Sequence, residues 1–155
     1  MLEIKRVESQ DLVELVNFIK KDRKEWAYLN HLDFLSWQYG PDQYLNEDGS
    51  YTIYLAIEYG KILGIICFIP FNFSFNGKIY SGVWPANWYA KIQERKDIGI
   101  RLLMQLHRHN FDLTFIGKVT TIAENIYEKI NYSSLGAMSR LFRIIDERSF
   151  LKMSK

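Results

Sequence analysis

Between Tyr51 and Tyr89 the chain adopts a period of two, and this limits its fold more than any other feature. Tyr51 to Glu58 and Ile62 to Ile69 are rich in β-branched and aromatic residues and are parted by Tyr59-Gly60-Lys61. Asn76-Gly77 then opens a further run, from Lys78 to about Tyr89. Alternating runs parted by such tight, glycine-bearing turns predict consecutive antiparallel strands. Pro85 interrupts the third run and removes one ladder hydrogen bond, which predicts a bulge or a splayed edge over Trp84 to Asn87.

The flanks carry helical spacing instead. Glu3 to Val7 alternates and reads as a short strand, and Ser9 reads as the cap of a helix whose inner face is Leu12, Leu15, Val16 and Ile19. Asp22 to Asn30 is charged and irregular. A second helix is expected over Asp33 to Tyr39, stopped by Gly40-Pro41, and Asp42 to Ser50 reads as a surface loop. After Lys91, the residues Ile98, Leu102, Leu103 and Leu106 predict a long helix reaching Asn110. Leu113 to Ile116 reads as a short buried strand, Ile122 to Ile130 as a helix, and Ser139 to Ile145 as a closing strand. The order β-α-α-β-β-β-α-β-α-β is that of an α+β domain on a mixed sheet. One domain is expected over residues 1–146, with 147–155 a charged tail that frays.

The 155 residues suffice for a sizeable core, and their 48% apolar and 25% charged content is that of an ordinary globular chain. A net charge of +2 makes no case for nucleic acid or an anionic membrane as partner. No leader is evident at Met1 and no apolar run is long enough to span a membrane, so the cytoplasm is the expected location. Cys67 is the single cysteine; it lies in an apolar run and reads as a buried core thiol. Aromatic content is the outlier, with ten Tyr, ten Phe and four Trp, enough to fill a core and also line a groove.

Two segments carry chemistry. Gln93-Glu94-Arg95-Lys96-Asp97-Ile98-Gly99-Ile100 stands between a strand and a helix, where a basic loop and free backbone N–H groups suit a phosphate. Ala123-Glu124-Asn125-Ile126-Tyr127-Glu128-Lys129-Ile130-Asn131-Tyr132 is a short helix with a tyrosine in its middle and a polar turn at its end. In this order and at this separation they resemble motifs A and B of the GNAT acyltransferases. The resemblance implies a mixed, mostly antiparallel sheet of about six or seven strands flanked by about four helices. It also implies acetyl-CoA, or another acyl-CoA, as cosubstrate, a small amine as acceptor, and no metal; a homodimer is allowed. By the same resemblance Trp88, Tyr89, Ala90, Arg95, Lys96, Asp97, Ile98, Gly99, Ile100 and Asn125 are the cofactor-binding candidates. The resemblance also implies that Tyr127 is the general acid that protonates the departing thiolate.

The loop departs from the family pattern. Glu94 stands where the family has Gln or Arg, Asp97 where it has its first glycine, and only Gly99 matches. Asp97 reads either as the N-cap of the long helix or as part of a pyrophosphate loop of altered chemistry. Asn131 replaces a glycine at the helix end, a mild change because Asn tolerates the left-handed conformation. The strand Val83-Trp84-Pro85-Ala86-Asn87-Trp88 offers no base. Glu58 reads as a solvated hairpin residue, His31 and Asp33 as acceptor-side candidates, and His107 and His109 as charges favoured near a helix C-terminus. Leu35-Ser36-Trp37-Gln38-Tyr39 with Pro41, and Phe111-Asp112-Leu113 with Gly117, look like a GNAT branch associated with bacterial surface polysaccharides. That likeness implies an amino-sugar acceptor, with His31, Trp37, Trp84 and Asn87 as its binding residues. It also allows the chain to be one half of a longer, paired protein.

Overall fold

The computed structural model describes residues 1–41, 49–117 and 120–133. They form two compact units, Met1–Val119 and Thr120–Lys155. The first is built on one sheet whose five described strands follow chain order: β1 (Glu3–Arg6), β2 (Ile53–Glu58), β3 (Lys61–Phe75), β4 (Lys78–Ala90) and β5 (Leu113–Thr114). β1 to β4 are antiparallel and β5 runs parallel to β4. The sheet is therefore mixed and mostly antiparallel, as expected, but smaller than six or seven strands among the described residues. The closing strand expected over Ser139 to Ile145 lies outside them, as do the charged tail and most of the Asp42 to Ser50 loop.

Both tight turns form where the sequence puts them. Tyr59 and Gly60 have φ of 51° and 71°, and Asn76 and Gly77 have 50° and 75°. Two consecutive positive φ values make the turn whose twist matches that of the strands it joins. β4 matches its expected run, while β3 extends beyond Ile69 to Phe75 because the Asn76-Gly77 turn carries the hairpin on to that point.

Four α-helices are described: α1 (Leu12–Asp22), α2 (Leu32–Tyr39), α3 (Ile98–Leu103) and α4 (Thr121–Lys129). Ser9 does not cap α1. It lies in a 3-10 turn, and Asp11 makes the tie instead, accepting from Glu8 N–H at 2.9 Å and pairing with Lys5 at 2.7 Å. α1 and α2 bury Leu15, Ile19, Leu35 and Tyr39 against Ile53, Leu55, Ile65 and Cys67 on one sheet face. Each such aliphatic side chain contributes about 1.5–3 kcal/mol. The segment Lys24–Asn30 is a pair of 3-10 turns kinked at Trp26, which sends Leu29 into the core. α3 covers the other face. A Cβ on Gly64 would lie 2.8 Å from Ile98 and 2.9 Å from Leu102, so the bare strand residue is what lets α3 sit so close.

Two expectations fail after α3. The helix stops at Leu103 and does not reach Asn110; the chain continues through a 3-10 turn at Leu106–Arg108. His109 then meets Tyr54, its Nε2 2.9 Å from the hydroxyl. β5 is only two residues long and is not buried, Leu113 being 39% exposed. No helix among the described residues is long and apolar enough to cross a membrane.

Candidate active site

β4 and β5 pair only at Gly82 and Val83. The Phe115 N–H donates to the Val83 carbonyl at 2.9 Å, and in a parallel ladder the next bond would run from the N–H of residue 85 to Phe115. Residue 85 is proline and has no N–H. The pairing ends there, and β4 from Trp84 onward keeps an edge that no described strand covers. This is the splay that Pro85 predicts. The bulge lies slightly beyond it: Cys67 faces Ala86 and Ile65 faces Tyr89, so Asn87 and Trp88 stand opposite one residue. Asn87 takes a φ of 49° to make the bulge.

Asn87 is fixed from two sides. Its Oδ1 accepts from the buried Tyr39 hydroxyl at 2.8 Å, and its Nδ2 donates to the Tyr28 hydroxyl at 2.5 Å. The strand is thereby tied to α2 and to the turn before it. Burial pushes the Tyr39 phenol well above its ordinary range, so it stays a proton donor to Asn87. Burial likewise raises the Cys67 thiol, which stands in the core as expected. Tyr28 and Phe34 meet edge-on at 5.5 Å, and Phe34 meets Trp37 at 5.6 Å. Trp37 is 70% exposed, and His31, also exposed, is the residue that precedes α2. Trp84 stands edge-on to Phe115 at 5.4 Å, beside Gly117.

The cofactor-binding candidates divide by strand face. Trp88 and Ala90 face α3, where Gly99 packs on them; a Cβ there would meet Trp88 at 3.4 Å and Ala90 at 3.7 Å. Tyr89 turns the other way, against Phe18 and Trp26. The Arg23 guanidinium lies between the Trp26 and Tyr89 rings, 4.5 and 4.4 Å from their centres. Ile98 is wholly buried and Ile100 partly so.

In the loop, Asp97 precedes α3 but its side chain makes no capping bond. It holds two arginines instead: Oδ1 lies 2.6 Å from Arg95 Nε and Oδ2 lies 2.5 Å from Arg101 Nε. Arg95 also reaches Glu58 at 2.9 Å, so Glu58 is an ion-pair partner and not simply a solvated residue. The Arg95 and Arg101 contacts bring the Asp97 carboxyl down to about 2. Lys96 is exposed.

The second unit contains α4, whose Thr120 hydroxyl caps the Ala123 N–H at 3.3 Å. Its end is a Schellman motif. Tyr132 N–H bonds to the Tyr127 carbonyl at 3.0 Å, Asn131 N–H to Glu128 at 3.0 Å, and Asn131 has the left-handed φ of 65°. Asn131 thus does what glycine does at this position. The Tyr127 and Tyr132 rings meet at 5.2 Å, the apolar contact that accompanies such caps. Burial, and then Tyr132, push the Tyr127 phenol above its ordinary range. Asn125 is exposed on the same helix.

Sequence reasoning did not assign Tyr28 or Phe34 a role, and it did not foresee that Tyr39, the last residue of the Leu35-Ser36-Trp37-Gln38-Tyr39 motif, holds Asn87. Tyr28 and Tyr39 carry no local signal for their contact with Asn87, which joins residues far apart in the chain.

No protein-family model matches this sequence, and no curated protein does. Solved structures do. An integron cassette protein from the mobile metagenome of V. cholerae superposes with a TM-score of 0.63 at 23% identity, covering 99% of this chain and 98% of that one. An aminoglycoside acetyltransferase from an uncultured soil metagenomic sample, in complex with sisomicin, gives 0.61 at 16% identity over 94% and 97%. A predicted acetyltransferase with acetyl-CoA from Clostridium acetobutylicum gives 0.63 at 14% over 92% and 96%. These likenesses establish the fold that the sequence motifs led us to expect, the fold of such acetyltransferases.

Proposed function

We propose that the chain is an acyl-CoA-dependent N-acyltransferase acting on a small amine, an amino sugar being the acceptor its aromatic residues suit best. The observation that carries this reading is the open edge of β4 after Val83, in a fold shared with acetyltransferases. The pantetheine arm of coenzyme A contains amide groups, and an uncovered strand edge is a natural partner for amides. Lys91 N–H bonds back to Leu63 at 2.8 Å, so the neighbouring Ala90 turns its own N–H toward the open side, while its carbonyl accepts from the Ile92 N–H at 2.9 Å.

Bound there, coenzyme A would supply a thioester carbonyl for attack by the neutral amine. The new C–N bond forms as the C–S bond breaks, and the leaving thiolate takes a proton. Tyr127 is the residue we assign to give it, on its motif and on a phenol that stays protonated at neutral pH. No carboxylate stands on β4, and Asn87 is committed to Tyr28 and Tyr39. We therefore assign loss of the amine proton to solvent. Trp37 and Trp84 offer exposed aromatic faces for the C–H face of a sugar ring.

A second reading, a GNAT-like domain that binds or assembles without catalysis, draws support from Asp97, which engages both Arg95 of the loop and Arg101 of α3. A thermal melt with excess acetyl-CoA separates the two. Ligand at about a hundred times its dissociation constant adds roughly 2.7 kcal/mol, a rise of about 5–10 °C for a chain this long. A flat melt at millimolar acetyl-CoA overturns the enzymatic reading. A rise, followed by free-thiol release with amino-sugar acceptors, supports it.

A further inference from the structure

β3 outruns its neighbour. β2 begins at Ile53, opposite Cys67, and the last bond from this side joins Phe68 N–H to Thr52 at 2.8 Å. From Ile69 to Phe75, β3 pairs with β4 on one side, and no described strand pairs with it on the other. Because Phe68 points its N–H toward β2, the backbone groups of Pro70, Asn72 and Ser74 point the same way, to the open side. Pro70, itself buried, lacks the N–H it would show there, so this side of the strand has no donor at that position. Asn72 and Ser74 present both N–H and C=O. No charged residue lies between Lys61 and Lys78 to discourage a partner.

The side chains have a matching order. Phe71, Phe73 and Phe75 share one face. Phe71 covers Gly82, whose added Cβ would meet the ring at 2.5 Å, and Phe73 stacks on Tyr80 at 5.3 Å. Phe75 is 61% exposed. The run Phe71-Asn72-Phe73-Ser74-Phe75 is aromatic and polar by turns and reads alike in both directions about Phe73.

We infer that this edge is the interface with a second copy of the chain, β3 pairing antiparallel with its equivalent about a two-fold axis at Phe73. That register sets Asn72 against Ser74 of the other copy, twice, and makes four backbone hydrogen bonds. Phe71 then stands opposite Phe75, and the two Phe73 residues face each other. Centring the axis on Asn72 would oppose Ser74 to Pro70, leaving a carbonyl without a donor. Centring it on Ser74 would bring Asn76, a turn residue with φ of 50°, into the ladder. The Phe73 register avoids both, and being two-fold it closes on itself.

The contact is small, so the dimer should form in the micromolar range. Sedimentation of the intact chain across that range is expected to show a monomer–dimer equilibrium; a monomer at roughly 100 µM overturns the proposal. Asn72→Pro removes an outward N–H and leaves the β3–β4 ladder intact, so it should yield a folded monomer by circular dichroism. A folded, dimeric Asn72→Pro overturns the proposal. Phe73→Cys tests the register without relying on that variant. Facing residues of this kind have Cβ atoms about 4.5–5.5 Å apart, and mild oxidation should link the two copies by a disulfide. Cys67 is buried and takes no part. A dimer that Phe73→Cys fails to link uses another face and overturns the assignment.

Discussion

Arg101 Nε lies 2.5 Å from Asp97 Oδ2, so a cation in the first turn of α3 is held by the residue just before that helix. Arg95 holds the other carboxylate oxygen at 2.6 Å. An anion arriving at this loop must compete with one that is already in place.

Replacing Asp97 by Asn removes that competitor while keeping the side chain's size. Acetyl-CoA affinity, measured by calorimetry, should rise roughly five- to tenfold, and more at low salt than at high. Because the carboxyl sits near 2, the wild-type competition persists over the whole neutral range and fades only in strong acid. Equal affinity in the two proteins would place the phosphates elsewhere.

Tyr127 has two separable attributes, its hydroxyl and its ring. Tyr127→Phe retains the ring contact with Tyr132 and the Schellman bonds made by the backbone. Its melting temperature should stay close to wild type while turnover falls about a hundredfold or more. Unchanged turnover removes the general-acid assignment.

Gly64 and Gly99 should respond in opposite ways to an added methyl. Gly64→Ala drives its Cβ to within 2.9 Å of the Tyr89 carbonyl as well as of Leu102, and should cost about 1–3 kcal/mol in urea unfolding. Gly99→Ala meets only ordinary contacts, so stability should hold or improve. If the loop cradles phosphate with its backbone, the same Gly99→Ala variant should still lose acetyl-CoA affinity by about tenfold.

His109 makes folding sensitive to mild acid. Burial, and then Arg6, lower its pKa below the ordinary 6.5. The unfolded chain therefore binds this proton more readily than the folded one. The contribution is complete above the unfolded value and is lost as the pH falls through the folded one. Melting temperature should drop between pH 7 and pH 5 by more in wild type than in His109→Gln, whose side chain cannot charge. Parallel curves would mean that His109 does not govern this window.

What the sequence disclosed about this fold is local chemistry. The positive φ values at Tyr59-Gly60, Asn76-Gly77 and Asn131 follow from residues that tolerate them, and Pro85 marks the end of a ladder because a missing N–H is a covalent fact. What it concealed is tertiary. The shortening of α3 has no breaker residue to announce it. Gln105 bonds back to the Arg101 carbonyl at 2.9 Å, and His109 goes on to meet Tyr54, more than fifty positions away. Asn87 read as an acceptor-binding residue on a strand, and its ties to Tyr28 and Tyr39 stayed hidden because those partners arrive from another part of the chain. Arg95 read as a ligand for phosphate, and its place beside Asp97 lets that carboxylate hold it together with Arg101.

The opening beside β4 is set by a pyrrolidine ring and not by a charge. Ionic strength and pH, which loosen or tighten the arginine loop, have no purchase on it. A substitution that restored an N–H at position 85 would let the two strands zip one bond further, shortening the open edge of β4 without touching any residue assigned to chemistry.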